Sequence, residues 1–486
     1  MRIVYHSIVK LLNLIIALVL LVTPLALGQR LPDLGDVSQG EMSPLQERRI
    51  GEDIMREVRA DPLYSDDPEV TDYLASLGNR LVAASPDAGR EFVFFLMADP
   101  QVNAFAFPGG YIGVNSGLLL TAQSESEVAG VMSHEIGHVV QRHFSRMLSA
   151  QKEFQLTSLA GLAVAVLAAR ASSQVAQAAL VGSQASTVQS VLNFTRANEQ
   201  EADRIGFQIL EKSGFDPDGA AAFFQRLLRA TRFYESAAPS YLRTHPLTID
   251  RIADMQNRVK DLRYRQVPDS IEFQLVRAKL KAAQGTPQES FVFFDESLKE
   301  RKYLSEAASR YGLVAALIRL KRYARATQEL RLLRDIVRAS PIVDALGARI
   351  QHEAGDYGAA QQAYRDALKN YPGNRTLVYG YADALLRGGK PDVALELIEN
   401  RLQSEATDSR LYQLRAQCYA ALSKPFLQHR ALAEYQYRLG NLRAAIEQLL
   451  LAQATRDGDF FQQSSVDARL RQLRAMEKET RRENSR

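Results

Sequence analysis

An α+β chain is predicted: a mostly helical domain holding a small β-sheet, followed by an all-α solenoid. Three observations carry this. At 486 residues the chain exceeds what one apolar core usually serves, so two domains are expected. Up to about residue 265, stretches with helical apolar spacing flank two strand-like runs, and the character of the sequence changes after Val267-Pro268-Asp269. Beyond that point Tyr323-Ala-Arg-Ala326, Tyr357-Gly-Ala-Ala360 and Pro391-Asp-Val-Ala394 stand 34 residues apart. That is the tetratricopeptide period, a helix-turn-helix stacked on its neighbour. The organisation is therefore a leader over 1–28, an α+β domain over 29–265 and a tetratricopeptide-repeat solenoid over 270–476.

The first residues read as a signal peptide. Arg2 and Lys10 precede an apolar run from Leu11 to Leu25, and Ala26-Leu-Gly28 offers small residues for cleavage. Pro24 interrupts the run, which is short for a membrane span, so an uncleaved anchor is the weaker alternative. Export from the cytoplasm follows. The net charge of +4 includes Arg2 and Lys10, and the nearly neutral remainder excludes nucleic acid as a partner. The single cysteine, Cys418, lies among Ala-Gln-Cys-Tyr-Ala and reads as a small core residue.

Pro-, Gly- and Asp-rich residues 29–43 form a loose leader, and helices are expected over 44–59 and 69–84. Glu91 to Met97 reads as a strand. Pro108-Gly109-Gly110 then turns the chain into a second strand, Tyr111 to Asn115. The sheet edge suits an extended substrate chain, held by backbone hydrogen bonds with little sequence preference. Residues 148–192 hold a short apolar run, Leu159 to Ala169, closed by Arg170. A lid or hairpin beside the cleft is expected there, buried or in peripheral contact with a membrane. In the solenoid, Pro341 and Pro372 are placed near the ends of second helices. Pro287-Gln-Glu-Ser290 is a weaker early copy, Leu442-Arg-Ala-Ala445 follows Pro425 half a repeat out of phase, and the charged tail from Glu477 is expected to fray.

The chemistry centres on His134-Glu135-Ile136-Gly137-His138, inside a run of helical periodicity. Two histidines four apart on a helix differ by about 40° of rotation and about 6 Å of rise, so both imidazoles reach one ion. Zinc fits that arrangement. Glu135 points about 100° away, off the ion but within reach of its water as general base. His143, on the same helix continued, falls on the opposite side and is read as a structural or substrate-side residue. A third ligand is sought on Arg196 to Gly206, where Glu199 and Asp203 share a face one turn apart. Glu199 suits the metal, and Asp203 suits the distal N–H of a ligand histidine. Glu201 faces away and is not chosen.

Four motifs then fall in a telling order: Val102 to Tyr111, the HEIGH run at 134–138, Glu199-x-x-Ala202-Asp203, and Thr244-His245-Pro246. Together they resemble the M48 family of zinc metallopeptidases over residues 45 to 260. The resemblance implies one zinc ion held by His134, His138 and Glu199, with Glu135 catalytic. With its C-terminal repeats the chain is most similar to the periplasmic members of Gram-negative bacteria, so the resemblance implies the periplasm as its compartment. For these the resemblance implies stalled or misfolded outer-membrane β-barrel proteins as substrates, their assembly machinery as docking partner and a chaperone-like role beside proteolysis. The rivals are a non-enzymatic scaffold with a structural zinc and a membrane-embedded peptidase. The first leaves Glu135 without a use, and the second needs further spans. For His245 two readings stand. Thr244 and Pro246 suit a helix start with a solvent-facing imidazole. Alternatively His245 is a catalytic-site latch that takes the fourth position on the metal at rest and leaves when substrate docks.

Overall fold

The strands arise where Phe, Val, Tyr and Ile cluster, and they form a four-stranded sheet beside the motif helix. The computed structural model describes residues 42–150, 196–231, 240–260, 262, 266–455 and 457–483. Helix α1 (Pro44–Ala60) opens with a reciprocal cap: the Ser43 hydroxyl accepts from the Gln46 backbone, and the Gln46 side chain accepts from Ser43. After β1 (Tyr64–Ser65), the Asp67 carboxylate caps α2 (Pro68–Ala83). Then come β2 (Val93–Met97), β3 (Ala104–Phe107) and β4 (Tyr111–Asn115), in the spatial order β1-β2-β4-β3. β4 pairs parallel with β2 and antiparallel with β3, which leaves β3 at an edge. The β3–β4 turn needs two left-handed residues, and Gly109 and Gly110 supply them at φ 82° and 83°. The two-residue β1 carries no sequence signal.

After α3 (Ser116–Thr121), Ser124 caps α4 (Glu125–Val140), which holds the HEIGH motif. α4 is buried almost throughout, so its apolar residues occupy every face. It does not continue to His143. Arg142 takes φ 52°, and a new helix, α5 (His143–Ala150), starts in another direction. α6 (Arg196–Lys212) packs against α4 at two glycines. A Cβ on Gly206 would lie 3.0 Å from the His134 Cα, and one on Gly137 2.9 Å from the Ala202 carbonyl oxygen. α7 (Asp218–Thr231), α8 (Ser240–Thr244) and α9 (Ile249–Lys260) close the domain.

The repeats follow as α10 (Ile271–Ala283) with α11 (Pro287–Lys299), α12 (Glu306–Arg319) with α13 (Tyr323–Ile336), and α14 (Pro341–Glu353) with α15 (Tyr357–Asn370). α16 (Arg375–Arg387) with α17 (Pro391–Ser404), and α18 (Ser409–Ala421) with α19 (Pro425–Arg438), continue the alternation. The half-repeat offset before α20 (Leu442–Ala454) is taken up by α19, which packs on both α18 and α20. Two details correct the sequence reading. Pro341 opens α14 instead of closing a helix, because a first-turn proline loses no hydrogen bond there. The tail past Glu477 stays helical to Glu483 within α21 (Phe460–Glu483).

One apolar core runs from α2 and the sheet through α4 into the early repeats, joining Leu74, Ile112, Met132, Phe273, Leu317 and Leu346. Cys418 is buried in a second core among the later repeats, as its neighbours indicated. Among the described residues no helix is long and apolar enough to cross a membrane. The segment expected as a signal peptide, the expected leader to residue 41 and residues 151–195 of the expected hairpin or lid lie outside the described residues.

Candidate metal centre

Because α6 crosses α4 at Gly206 and Gly137, its carboxylates reach the motif histidines. His134 Nε2 lies 3.0 Å from His138 Nε2 and 3.5 Å from Glu199 Oε2, and His138 Nε2 lies 3.5 Å from Glu199 Oε1. His245 joins them: its Nδ1 is 3.3 Å from His134 Nε2 and 3.2 Å from Glu199 Oε1. One ligand atom from each of these four residues lies within 4.8 Å of all the others. Three imidazoles and a carboxylate converging on one buried point are a donor set that suits a divalent transition metal. Ring nitrogens aimed at one another are otherwise poorly satisfied, so the cluster fits a cation.

The solvent-facing reading of His245 is overturned, since its side chain is 2 % exposed. Thr244 ends the short α8, and α9 starts only at Ile249, where the Thr248 hydroxyl accepts from the Arg251 backbone. His245 is thus carried in the link between two helices. Tyr241, stacked on it with ring centroids 4.8 Å apart, holds it towards the metal helix.

Glu135 faces the same point from the other side. Its Oε1 is 3.4 Å from His245 Nε2, and the helix that carries it packs against edge strand β3. Burial pushes the Glu135 carboxyl above the usual range against the pull of His245 and His134. Asp203 sits where the spacing placed it: its Oδ1 is 2.9 Å from His134 Nδ1. Burial lowers the His134 pKa, but Asp203 and Glu199 outweigh it and raise it to about 9. For His138, burial and then the charge of His134 hold the pKa well below the usual histidine value.

Arg251 escaped the sequence reading. It is 3 % exposed, grips Asp203 through Nε at 2.7 Å and Nη2 at 2.8 Å, and sets Nη1 2.8 Å from Glu199 Oε2. Burial opposes ionisation of both carboxyls. For Asp203 the hydrogen bonds from Arg251 and then His134 outweigh it, and for Glu199 the charge of His245 leads the opposing causes, so both pKa values fall. An arginine in Thr-Ile-Asp-Arg carries no signal alone, although its place six residues after His245 is the cue to test it against that motif.

Residues 68–259 match Peptidase family M48, and residues 351–418 match the tetratricopeptide repeat. Over 455 residues the chain is 35% identical to the beta-barrel assembly-enhancing protease of Escherichia coli, covering 92% of each protein. The chain belongs to peptidase family M48. A second relative, the putative beta-barrel assembly-enhancing protease of Vibrio cholerae, is 33% identical over 449 residues, 91% of this chain and 92% of that one. A mitochondrial metalloendopeptidase of Schizosaccharomyces pombe is 26% identical over 213 residues, 43% of this chain and 60% of its own. As an M48 peptidase with tetratricopeptide repeats, the chain is a peptide-bond hydrolase with a metal-compatible His134, His138, Glu199 and His245 cluster.

Proposed function

We propose that this chain is a periplasmic zinc endopeptidase that clears or assists stalled outer-membrane β-barrel proteins, with its repeats docking the substrate or the assembly machinery. The convergence of His134, His138 and Glu199 beside Glu135 carries the catalytic half of this reading. The printed names of the relatives, matched over 92% of the chain, support the cellular half.

Zinc, when bound by His134, His138 and Glu199, supplies Lewis acidity towards a scissile carbonyl and acidifies water. Glu135, with a carboxyl that burial makes more basic, takes the proton of the attacking water and passes it to the leaving amine. Asp203 keeps His134 in one tautomer, and Arg251 keeps Asp203 ionised and in place. β3 is the edge strand beside the motif helix, and an extended chain adds there by backbone pairing next to Glu135. His245 stands 3.4 Å from Glu135 and offers a ligand atom to the same point as His134, His138 and Glu199, which supports its reading as a latch that substrate must displace.

The test uses the full-length protein with an unfolded outer-membrane β-barrel protein. Wild type should hold about one zinc per chain and cleave. Glu135→Gln should keep the metal and lose cleavage, whereas His134→Ala and His138→Ala should lose both. Undiminished cleavage by Glu135→Gln would remove the mechanism, and a Glu135→Gln protein without metal would show the roles to be misassigned.

A further inference from the structure

Behind the second metal histidine stands a buried histidine that the reaction has not used. On a straight helix His143, five residues past His138, would point about 140° away from it. The left-handed Arg142 breaks that geometry, and α5 starts with His143 against the back of His138: the two Nδ1 atoms are 2.8 Å apart. The Glu47 carboxylate, 3.0 Å from the Arg142 Nε, anchors this turn. On its far side His143 Nε2 is 3.1 Å from Glu201 Oε2, which also accepts from Arg146 Nη2 at 2.7 Å.

Proton positions along this line follow from one constraint. His138 Nε2 faces His134 and Glu199, so it must be unprotonated to bind a cation there. Its proton then sits on Nδ1 and is donated to His143 Nδ1. His143 in turn carries its proton on Nε2 and donates it to Glu201. The other motif histidine is served in parallel: His134 Nδ1 meets Asp203, and Arg251 holds Asp203. Each ligand histidine is thus backed by a carboxylate of α6 paired to an arginine, directly for His134 and through an imidazole for His138. Glu201 does face away from the metal, as its helical position indicated, and that direction is what lets it reach His143.

We infer that His143, anchored by Glu201 and Arg146, is a positioning residue that fixes the tautomer and orientation of His138 for metal binding. The inference rests on the metal reading above, and its test separates the two. Full-length wild type, His143→Phe and His143→Asn are stripped with chelator. Zinc affinity is then measured by chelator competition, and the visible absorption of the Co2+-loaded forms is recorded. Phe keeps the ring without the acceptor, while Asn restores an acceptor oxygen near the Nδ1 position. His143→Phe should bind zinc about 10–100-fold more weakly with altered Co2+ bands, and His143→Asn should recover much of the loss. Glu201→Ala, two bonds removed from His138, should weaken zinc more mildly and serves if His143→Phe does not fold. Wild-type affinity and an unaltered Co2+ spectrum in both His143→Phe and Glu201→Ala, or no recovery in a folded His143→Asn, would overturn the role. Absence of zinc binding by wild type would instead overturn the metal reading and this inference with it.

Discussion

Glu125, the first residue of the metal helix, binds Ser270, the cap of the first repeat helix. Its carboxylate accepts from the Ser270 backbone N–H at 3.0 Å and from the Ser270 hydroxyl at 2.7 Å. The Glu125 backbone N–H in turn donates to Asp269 at 2.7 Å, and the Tyr73 hydroxyl donates to the Glu125 carboxylate. The starts of α4 and α10 are therefore fastened to each other, and a shared apolar core lies beneath them.

Glu125→Ala strands three donors at this junction and should cost about 1–3 kcal/mol of stability, read by denaturant unfolding followed by circular dichroism. The continuous core also predicts that removing residues 270–486 leaves a peptidase domain of lowered melting temperature, because Phe273 and Leu317 leave with the deletion. A truncated domain melting at the full-length temperature would show the two parts to be independent.

Gly206→Ala should weaken metal binding although it touches no ligand atom. The added Cβ meets the His134 backbone at 3.0 Å, so α6 must move away and take Glu199 and Asp203 with it. Such overpacking costs about 1–3 kcal/mol. Chelator competition and thermal melting of the variant check both consequences, and unchanged metal affinity would argue for slack in this crossing.

His245→Ala should raise basal proteolysis without loss of metal if the imidazole is a latch. A resting metal-loaded structure should then show that ring at about 2.0–2.1 Å from the ion. Lower activity in His245→Ala, with the metal retained, would instead assign His245 to stabilising the transition state.

Metal uptake should release protons, mainly from His134. With its pKa raised from 6.5 to about 9, the His134 proton stabilises the metal-free fold fully below pH 6.5, and that contribution is lost as pH rises through about 9. A metal displaces the same proton, so affinity should climb with pH over this window. Glu199 and Asp203 act in the opposite sense: their pKa values are lowered, so their stabilisation is present above the ordinary carboxyl range and lost on acidification. Calorimetric titration at pH 7 in buffers of different ionisation heat should count about one proton released per metal. A count near zero would mean that His134 is already neutral.

What could be read from the sequence was local or periodic. His134 with His138, and Glu199 with Asp203, are pairs four apart on single helices, where the 3.6-residue turn alone dictates a shared face. Tyr323, Tyr357 and Pro391 mark a repeat because each unit must bury the same face against the next. Tertiary structure decided the rest. Arg251 meets Asp203 across 48 residues of chain, a contact that no periodicity encodes. His245 is buried because Tyr241 and the metal helix enclose the link after α8, although the same Thr-His-Pro sequence reads as an exposed helix start. His143 reaches His138 because a single left-handed residue ends α4, and an arginine, unlike a glycine, does not advertise that conformation in the sequence.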